Sequence, residues 1–203
     1  MREVSGGVWH WTALHPGLGV EVSSYFLDEE RVLIDPMIPR EGLSWFNDAS
    51  PQHILLTSRH HDRDSWRFQA AFGCRVHCGV DAVDELDGRG PLEPFAFGTR
   101  LPGEIVAYEI GAIFPDETAF HIPRHGSIAC GDGVIRRSAR DCLSFVPDQY
   151  MEAPGTTKLR LRTAYRAVLE LEFDTLLLAH GDPIVGEGKQ ALKAFVERDF
   201  GRG

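Results

Sequence analysis

The sequence predicts a layered α/β protein in which two β-sheets stack on each other with helices outside. Three observations indicate this fold class. Short β-prone segments separated by turns open the chain, a strand–helix–strand pattern covers residues 53–78, and an apolar strand followed by an amphipathic helix closes it. Because each half then has a sheet and helices of its own, the apolar faces of the sheets are best buried against each other.

The first half is predicted to form a β-meander followed by a β-α-β unit. The elements are, in order, strands at 4–14, 20–27 and 31–36, a short helix at 40–46, a strand at 53–57, a helix at 65–72 and a strand at 75–78. The helix at 65–72 is indicated by apolar residues at helical spacing, and Gly73 is expected to end it. The strands that flank it should be parallel and joined by a right-handed crossover.

The second half is predicted to begin with a surface loop and to end with two helices. Residues 81–94 are acidic and turn-rich, which is typical of a mobile loop. The elements that follow are short strands at 95–97, 104–108, 118–122 and 127–130, a helix at 157–171, an apolar strand at 175–179 and an amphipathic helix at 189–200.

Length, composition and charge limit the kinds of partner. The chain has 203 residues, of which 43% are hydrophobic and 25% charged, so we expect residues 1–203 to form one globular domain. A formal net charge of -9 at pH 7 disfavours nucleic acid or an anionic membrane as a partner. We therefore expect a small-molecule substrate or ligand, and the sequence leaves the oligomeric state open.

Cysteine usage and the start of the sequence indicate a cytoplasmic protein. The four cysteines are scattered without a Cys-x-x-Cys pair, which is typical of a reducing compartment. No signal-peptide pattern follows Met1, and no apolar stretch approaches the roughly 20 residues that cross a bilayer.

Residues capable of binding a metal concentrate where the central strand ends. The apolar run that leads to Thr57 gives way to a polar patch that contains His60, His61, Asp62 and Asp64. Two histidines and two carboxylates within five positions can supply several ligands to one cation. Imidazole nitrogen with carboxylate oxygen suits zinc, iron or manganese better than calcium or magnesium.

Two further apolar strands end in residues of the same chemical type. Asp132 follows the strand at 127–130, and His180 follows the strand at 175–179. Each of these residues alone is better explained as a turn or cap residue. Their combination is much more specific, because ligand and catalytic groups of layered α/β proteins usually lie at strand ends.

The pattern resembles the metallo-β-lactamase superfamily of hydrolases, from Gly7 to about Phe195. The segments that carry the resemblance are 32–36, 54–57 with His60 and Asp62, 131–132 and 177–183. The resemblance implies a four-layer αββα sandwich with the metal site at one edge, between the sheets. It also implies one or two metal ions, mostly zinc and sometimes iron or manganese, and attack of a metal-bound hydroxide on an ester, amide, thioester or phosphodiester.

The metal-binding motif implied by this resemblance is incomplete. When Thr-His-x-His-x-Asp-His is laid on the chain from Thr57, Ser58 falls on its first histidine and Arg63 on its last. A further family histidine would fall near residues 110–112, which contain none. The positions that match are His60, Asp62, Asp132 and His180.

Two functions are compatible with an incomplete motif. The first is a hydrolase of unknown substrate that holds at most one ion, zinc first and iron or manganese as alternatives. Its predicted ligands are His60, Asp62, Asp132 and His180, with His61 as a replacement ligand if the turn is shifted. Asp62 and Asp64 are its predicted catalytic carboxylates, and Asp64 would accept the proton of the attacking water. The second is a metal-free, catalytically inactive binding or interaction module on the same fold.

Three predictions concern residues around this site. Arg63 cannot ligate a metal, so we expect its guanidinium to stand in for a missing cation, ion-paired with Asp62 or Asp132. The resemblance places Asp35 behind the site as a supporting residue. His121 and His125 are alternative ligands if the neighbouring segment folds back. His10 and His77 are predicted to be packed or surface residues without a role in binding.

Overall fold

Two β-sheets lie face to face in the structure, a computed structural model that describes residues 1–198. The first sheet has seven strands in sequence order: β1 (Arg2–Ser5), β2 (Val8–Leu14), β3 (Glu21–Leu27), β4 (Val32–Ile34), β5 (His53–Leu55), β6 (Arg75–Gly79) and β7 (Leu92–Phe95). Strands β1 to β4 pair antiparallel, and β4 to β7 pair parallel. The predicted meander and the parallel pair β5–β6 are therefore confirmed.

The second sheet has five strands, β8 (Arg100–Leu101), β9 (Ile105–Glu109), β10 (Thr118–Ile122), β11 (Ser127–Cys130) and β12 (Thr175–Leu178). Its strands lie in sequence order and pair antiparallel, except that β11 and β12 are parallel. A parallel pair needs a long crossover connection, which here contains helix α3 (Pro154–Val168).

Helices cover the outer face of each sheet. Helix α1 (Ser65–Phe72) and the short helix α2 (Val83–Leu86) pack on the first sheet through the buried side chains of Phe68 and Leu86. Helices α3 and α4 (Gly188–Glu197) pack on the second sheet through Leu161 and Phe195. The order of layers is therefore helix, sheet, sheet, helix, and the predicted αββα sandwich is confirmed.

Side chains that alternate between the two faces of the central strands contribute to two hydrophobic cores, one between the sheets and one beneath the helices of the first sheet. Successive side chains of a strand point to opposite faces, so Ile54 packs beneath the helices of the first sheet while Leu55 packs between the sheets. Phe120 and Leu177 meet Leu55 in the core between the sheets. Burial on both faces explains why β5 and β12 are almost continuously apolar in the sequence.

Some predicted elements differ from the observed ones. Residues 81–94 are not a loop, because they contain α2 and most of β7, and the buried side chain of Leu86 anchors this segment. The helix predicted at 40–46 is a 3-10 turn, Leu43–Phe46. Helix α4 ends at Glu197, and the predicted end at Phe200 lies outside the described residues. No helix within residues 1–198 is long and apolar enough to span a bilayer.

The two sheets are joined by hydrogen bonds at the edge where β5 and β12 end. The amide of Ser23 donates to Ala179 O at 2.9 Å, and the amide of Thr118 donates to Thr57 O at 2.8 Å. The Tyr25 hydroxyl donates to Leu178 O at 2.8 Å. These bonds hold the strand ends of both sheets beside each other, which is where the predicted site residues lie.

Candidate metal centre

His61, Asp132 and His180 come together at this edge of the sandwich. Each offers one possible ligand atom, and the three atoms all lie within 4.8 Å of one another. Asp132 Oδ1 is 3.2 Å from His61 Nε2 and 2.9 Å from His180 Nε2. The cluster therefore joins the polar turn after β5 in the first sheet to the ends of β11 and β12 in the second.

A 3-10 turn, Arg59–His61, directs the His61 side chain into this cluster. The amide of Arg59 donates to Asp116 Oδ2 at 2.5 Å, and its guanidinium forms an ion pair with the same buried carboxylate. Residues in a 3-10 turn point about 120° apart, so the side chains of His60 and His61 diverge. His61 is buried in the cluster, whereas the ring of His60 packs against Phe114, with ring centroids 4.4 Å apart.

Asp35 supports His61 from behind. Its Oδ2 lies 2.8 Å from His61 Nδ1, so His61 Nε2 is the nitrogen that faces Asp132. Thr57 holds the Asp35 carboxylate by donating from its amide at 2.9 Å and from its hydroxyl at 2.5 Å. A carboxylate behind the second nitrogen fixes the orientation of a ligating histidine in many metal sites.

The charges of the cluster strongly shift the pKa values of His61 and Asp132. Burial lowers the pKa of His61, but the carboxylates of Asp132 and Asp35 outweigh it and raise this pKa to about 9. Burial also raises the pKa of Asp132, but His61 and His180 outweigh it and hold this pKa well below its usual value. Without a cation, His61 is therefore protonated at neutral pH and lies between two carboxylates.

Arg63 is buried beside the cluster, but it does not form the expected ion pair. Its Nη1 donates to the backbone carbonyls of Ser23 and Asp35, at 2.6 and 2.7 Å, and its Nη2 has no hydrogen-bond partner among the described residues. The predicted pairing with Asp62 or Asp132 is thus wrong, because backbone carbonyls take the guanidinium. Burial lowers the pKa of Arg63, and the nearby carboxylates of Asp35 and Asp132 oppose this shift.

Asp62 and Asp64 are not part of the cluster. Asp62 forms an ion pair with Arg89 and accepts a hydrogen bond from Trp66 Nε1 at 3.0 Å. Asp64 accepts a hydrogen bond from the amide of Ile38 at 2.8 Å. Both carboxylates are engaged by neighbouring segments, so the structure does not bring these two predicted catalytic residues to the cluster.

The remaining histidines also have partners elsewhere. His121 Nε2 lies 3.0 Å from Glu172 O, and His125 Nε2 lies 3.0 Å from Glu30 Oε2. His10 and His77 are buried. The structure therefore places neither His121 nor His125 in the cluster. It does place His61 there, the replacement ligand expected for a shifted turn.

Glu117 is a residue near the site that the sequence did not reveal. Its buried carboxylate accepts hydrogen bonds from the amides of Gly133, at 2.7 Å, and Ile113, at 3.2 Å, so it holds the loop that carries Asp132. Burial and the nearby charge of Asp132 raise the pKa of Glu117 to about 7. A carboxylate just before an apolar strand is a signal that could have drawn attention to it, but its partners are not visible in sequence.

The cluster lies at the floor of a cavity of about 940 Å³. Its walls come from the β2–β3 hairpin and from the loops that precede β10 and follow β11 and β12. The lining residues outside the cluster include Leu18, Val20, His60, Ile113, Phe114, Ile135, Arg136, Arg137, Val146, Tyr150 and Asp182. A mostly apolar cleft with a few converging polar groups is the usual form of a small-molecule site.

The fold and the cluster thus define a class of protein. It is a four-layer αββα sandwich that carries possible metal ligands at the ends of its strands. No protein-family model matches the chain, and no curated protein does. Solved structures do match it. A metallo-β-lactamase from Pontibacter korlensis has a TM-score of 0.72 at 13% identity, over 98% of this chain and 98% of its own.

Two further structures match over most of their length. The mono-zinc form of the metallo-β-lactamase FIM-1 from Pseudomonas aeruginosa has a TM-score of 0.68 at 17% identity, over 96% of this chain and 93% of its own. A di-iron-bound form of TTHA1623 has a TM-score of 0.67 at 20% identity, over 89% of this chain and 96% of its own. The chain therefore has the metallo-β-lactamase fold, and the resemblance seen in the sequence is confirmed at the level of the fold.

Proposed function

We propose that this protein is a metal-dependent hydrolase of a small molecule, with one divalent ion bound by His61, Asp132 and His180. The observation that carries the proposal is the convergence of three ligand atoms within 4.8 Å at the floor of a large cavity. Relatives in fold that are described as zinc-bound or di-iron-bound make metal use plausible.

The donor set of the cluster fits such an ion. Two imidazole nitrogens and one carboxylate oxygen are ligands typical of zinc and of non-haem iron. Three protein ligands leave coordination positions for water and substrate, as in catalytic rather than structural sites. Within residues 1–198 this is the one group of three with suitable spacing, which supports a single ion.

When bound, the ion would polarise the scissile group and lower the pKa of a bound water. The residues of this chain prepare the site for it. Asp35 orients His61 so that Nε2 faces the cluster, and Glu117 fixes the loop that carries Asp132. Because a ligating imidazole must be neutral, His61 would give up the proton on its Nε2 if an ion were bound there. Neither Asp62 nor Asp64 is placed to accept the proton of the attacking water, since both carboxylates are bonded to residues away from the cluster.

A second candidate, a metal-free binding module, is favoured by the charges around the cluster. The buried guanidinium of Arg63 and a protonated His61 together match the two negative charges of Asp35 and Asp132. These four charges thus balance one another without an added cation. A protein of this kind would use the same cavity to bind its ligand but would not hydrolyse it.

Metal content of protein purified without chelators separates the two candidates. We expect one equivalent of a transition metal in the wild type, loss of this metal in His180→Ala, and hydrolysis of at least one member of an ester, thioester, lactone and amide panel. His60→Ala is the matched control, because His60 lines the same cavity without joining the cluster. Wild-type protein that binds no zinc, iron or manganese on titration would exclude the hydrolase and leave the binding module.

A further inference from the structure

The cavity above the cluster has a wall suited to an apolar ligand. Leu18 and Val20, near the tip of the β2–β3 hairpin, remain 52% and 48% exposed, and Tyr150, in the loop before α3, is 51% exposed. Phe114 and Val146 also line the cavity. Large apolar side chains scattered singly over a surface need no explanation, but several that line one cleft indicate that apolar surface is buried there on binding.

One of the cations that line this cavity has no partner among residues 1–198. The lining contains two arginines, Arg136 and Arg137. The guanidinium of Arg136 is bonded to its own loop, through Nε to Asp141 O at 3.0 Å and through Nη2 to Ala139 O. Arg137 is exposed and forms no hydrogen bond or ion pair with any described residue. Its guanidinium is therefore free to bind a ligand.

None of the three acidic residues of the lining neutralises Arg137, since Asp132 is paired with His61 and His180. Asp182 forms an ion pair with Arg2 at 2.9 Å, and Glu21 accepts a hydrogen bond from the Thr12 hydroxyl at 3.3 Å. These three carboxylates nevertheless keep the cavity from being strongly positive. A single free guanidinium in such surroundings matches an anion of charge one better than a dianion such as a phosphate monoester.

We infer that the natural ligand is an amphipathic organic monoanion: an apolar body that fills the cavity and a carboxylate that pairs with Arg137. This inference rests on the proposed function in one respect. If the protein is a hydrolase, the scissile ester, thioester, lactone or amide lies at the cluster, and the carboxylate lies at the opposite end of the substrate. A guanidinium binds a carboxylate through two parallel hydrogen bonds, so Arg137 selects the charged end and the apolar wall selects the body.

The test compares octanoate with its neutral isostere octanamide by calorimetry, on chelator-treated protein so that no metal can bind the carboxylate. We expect octanoate to bind about tenfold more tightly than octanamide, as for a hydrogen-bonded ion pair that is partly exposed. Arg137→Ala should abolish this preference, and Arg137→Lys should keep part of it. Arg140→Ala is the matched control, because Arg140 is exposed on the same loop and does not line the cavity.

The possible contrary results are distinct. Equal binding of both probes by the wild type would overturn the role of Arg137, and so would a preference that survives Arg137→Ala, since the anion would then lie on the histidines of the cluster. Binding of neither probe would overturn the apolar wall as a ligand surface. Failure of the proposed hydrolase would be seen separately, as protein that binds no metal but still prefers octanoate.

Discussion

Replacing Arg63 with alanine tests whether its buried positive charge holds the metal-free site together. The side chain donates to the carbonyls of Ser23 and Asp35, which belong to neighbouring strand segments of the first sheet, and its charge opposes those of Asp35 and Asp132. Alanine removes the charge and both hydrogen bonds. It retains a Cβ at the positive φ of 41° that Arg63 adopts, so backbone strain at this position is not relieved.

The expected loss is large because the carboxylates left behind are buried. Removing one partner of a buried charge arrangement typically costs about 3–5 kcal/mol. For a chain of this length, each kcal/mol lowers the melting temperature by about 2–4 °C, so we expect Arg63→Ala to melt roughly 10 °C below the wild type. Protonation of a carboxylate near the site would offset part of this loss at low pH.

The assay is thermal unfolding followed by circular dichroism in buffer that contains a chelator. Arg67→Ala is the control, since the Arg67 side chain is 67% exposed and its ion pair with Asp64 lies at the surface. The control should melt within about 2 °C of the wild type. An Arg63→Ala protein that also melts at the wild-type temperature would show that the carboxylates of the cluster do not need this guanidinium.

Three further predictions concern other positions around the sheets. Asp35→Asn should weaken metal binding about 10–100-fold, because it disturbs the support of His61; a chelator-competition titration that gives wild-type affinity would contradict this. Gly181→Ala should destabilise the protein by more than about 1–3 kcal/mol in urea unfolding, since at φ 108° its Cβ would lie 1.9 Å from Arg136 O. Gly186→Ala is the control, because Gly186 also has a positive φ, 78°, but has open space around it. It should lose less free energy of unfolding than Gly181→Ala, and equal losses would show that the contact with Arg136 O is not the cause. Burial lowers the pKa of His77 to about 4, so its contribution to stability is present above pH 6.5 and is lost as the pH falls towards 4. The free energy of unfolding, measured in urea, should therefore fall by about 2–3 kcal/mol less for His77→Gln than for the wild type between about pH 7.5 and pH 4.5. Equal falls in both proteins would show that protonation of His77 does not cause the loss.

The sequence alone was sufficient for the fold class and for the edge of the sandwich at which His61, Asp132 and His180 converge. Apolar strands, turn residues and helical spacing are local properties of the chain, so β5, α1, β6 and β12 could be predicted where they are found. The ends of apolar strands are also visible in sequence, and for that reason the sequence predicts that Asp132 and His180 belong to one site.

The choice of residues after β5 was decided by tertiary structure. The motif matches His60 and leaves His61 as a replacement, but the two side chains point about 120° apart in a 3-10 turn, and His61 is the one in the cluster. The carboxylate of Asp116 fixes this turn, and the carboxylate of Asp35 holds the ring of His61. Both carboxylates belong to segments distant in the chain, so no local pattern shows that His61 rather than His60 reaches the cluster.

The same reason applies to the charged residues. Asp62 was predicted to face the site, but its partner is Arg89, and the partners of Arg63 are carbonyls of Ser23 and Asp35. The sequence determined which types of side chain reach the edge of the sandwich. The tertiary structure decided which of them converge, because hydrogen bonds between distant segments set the direction of each side chain.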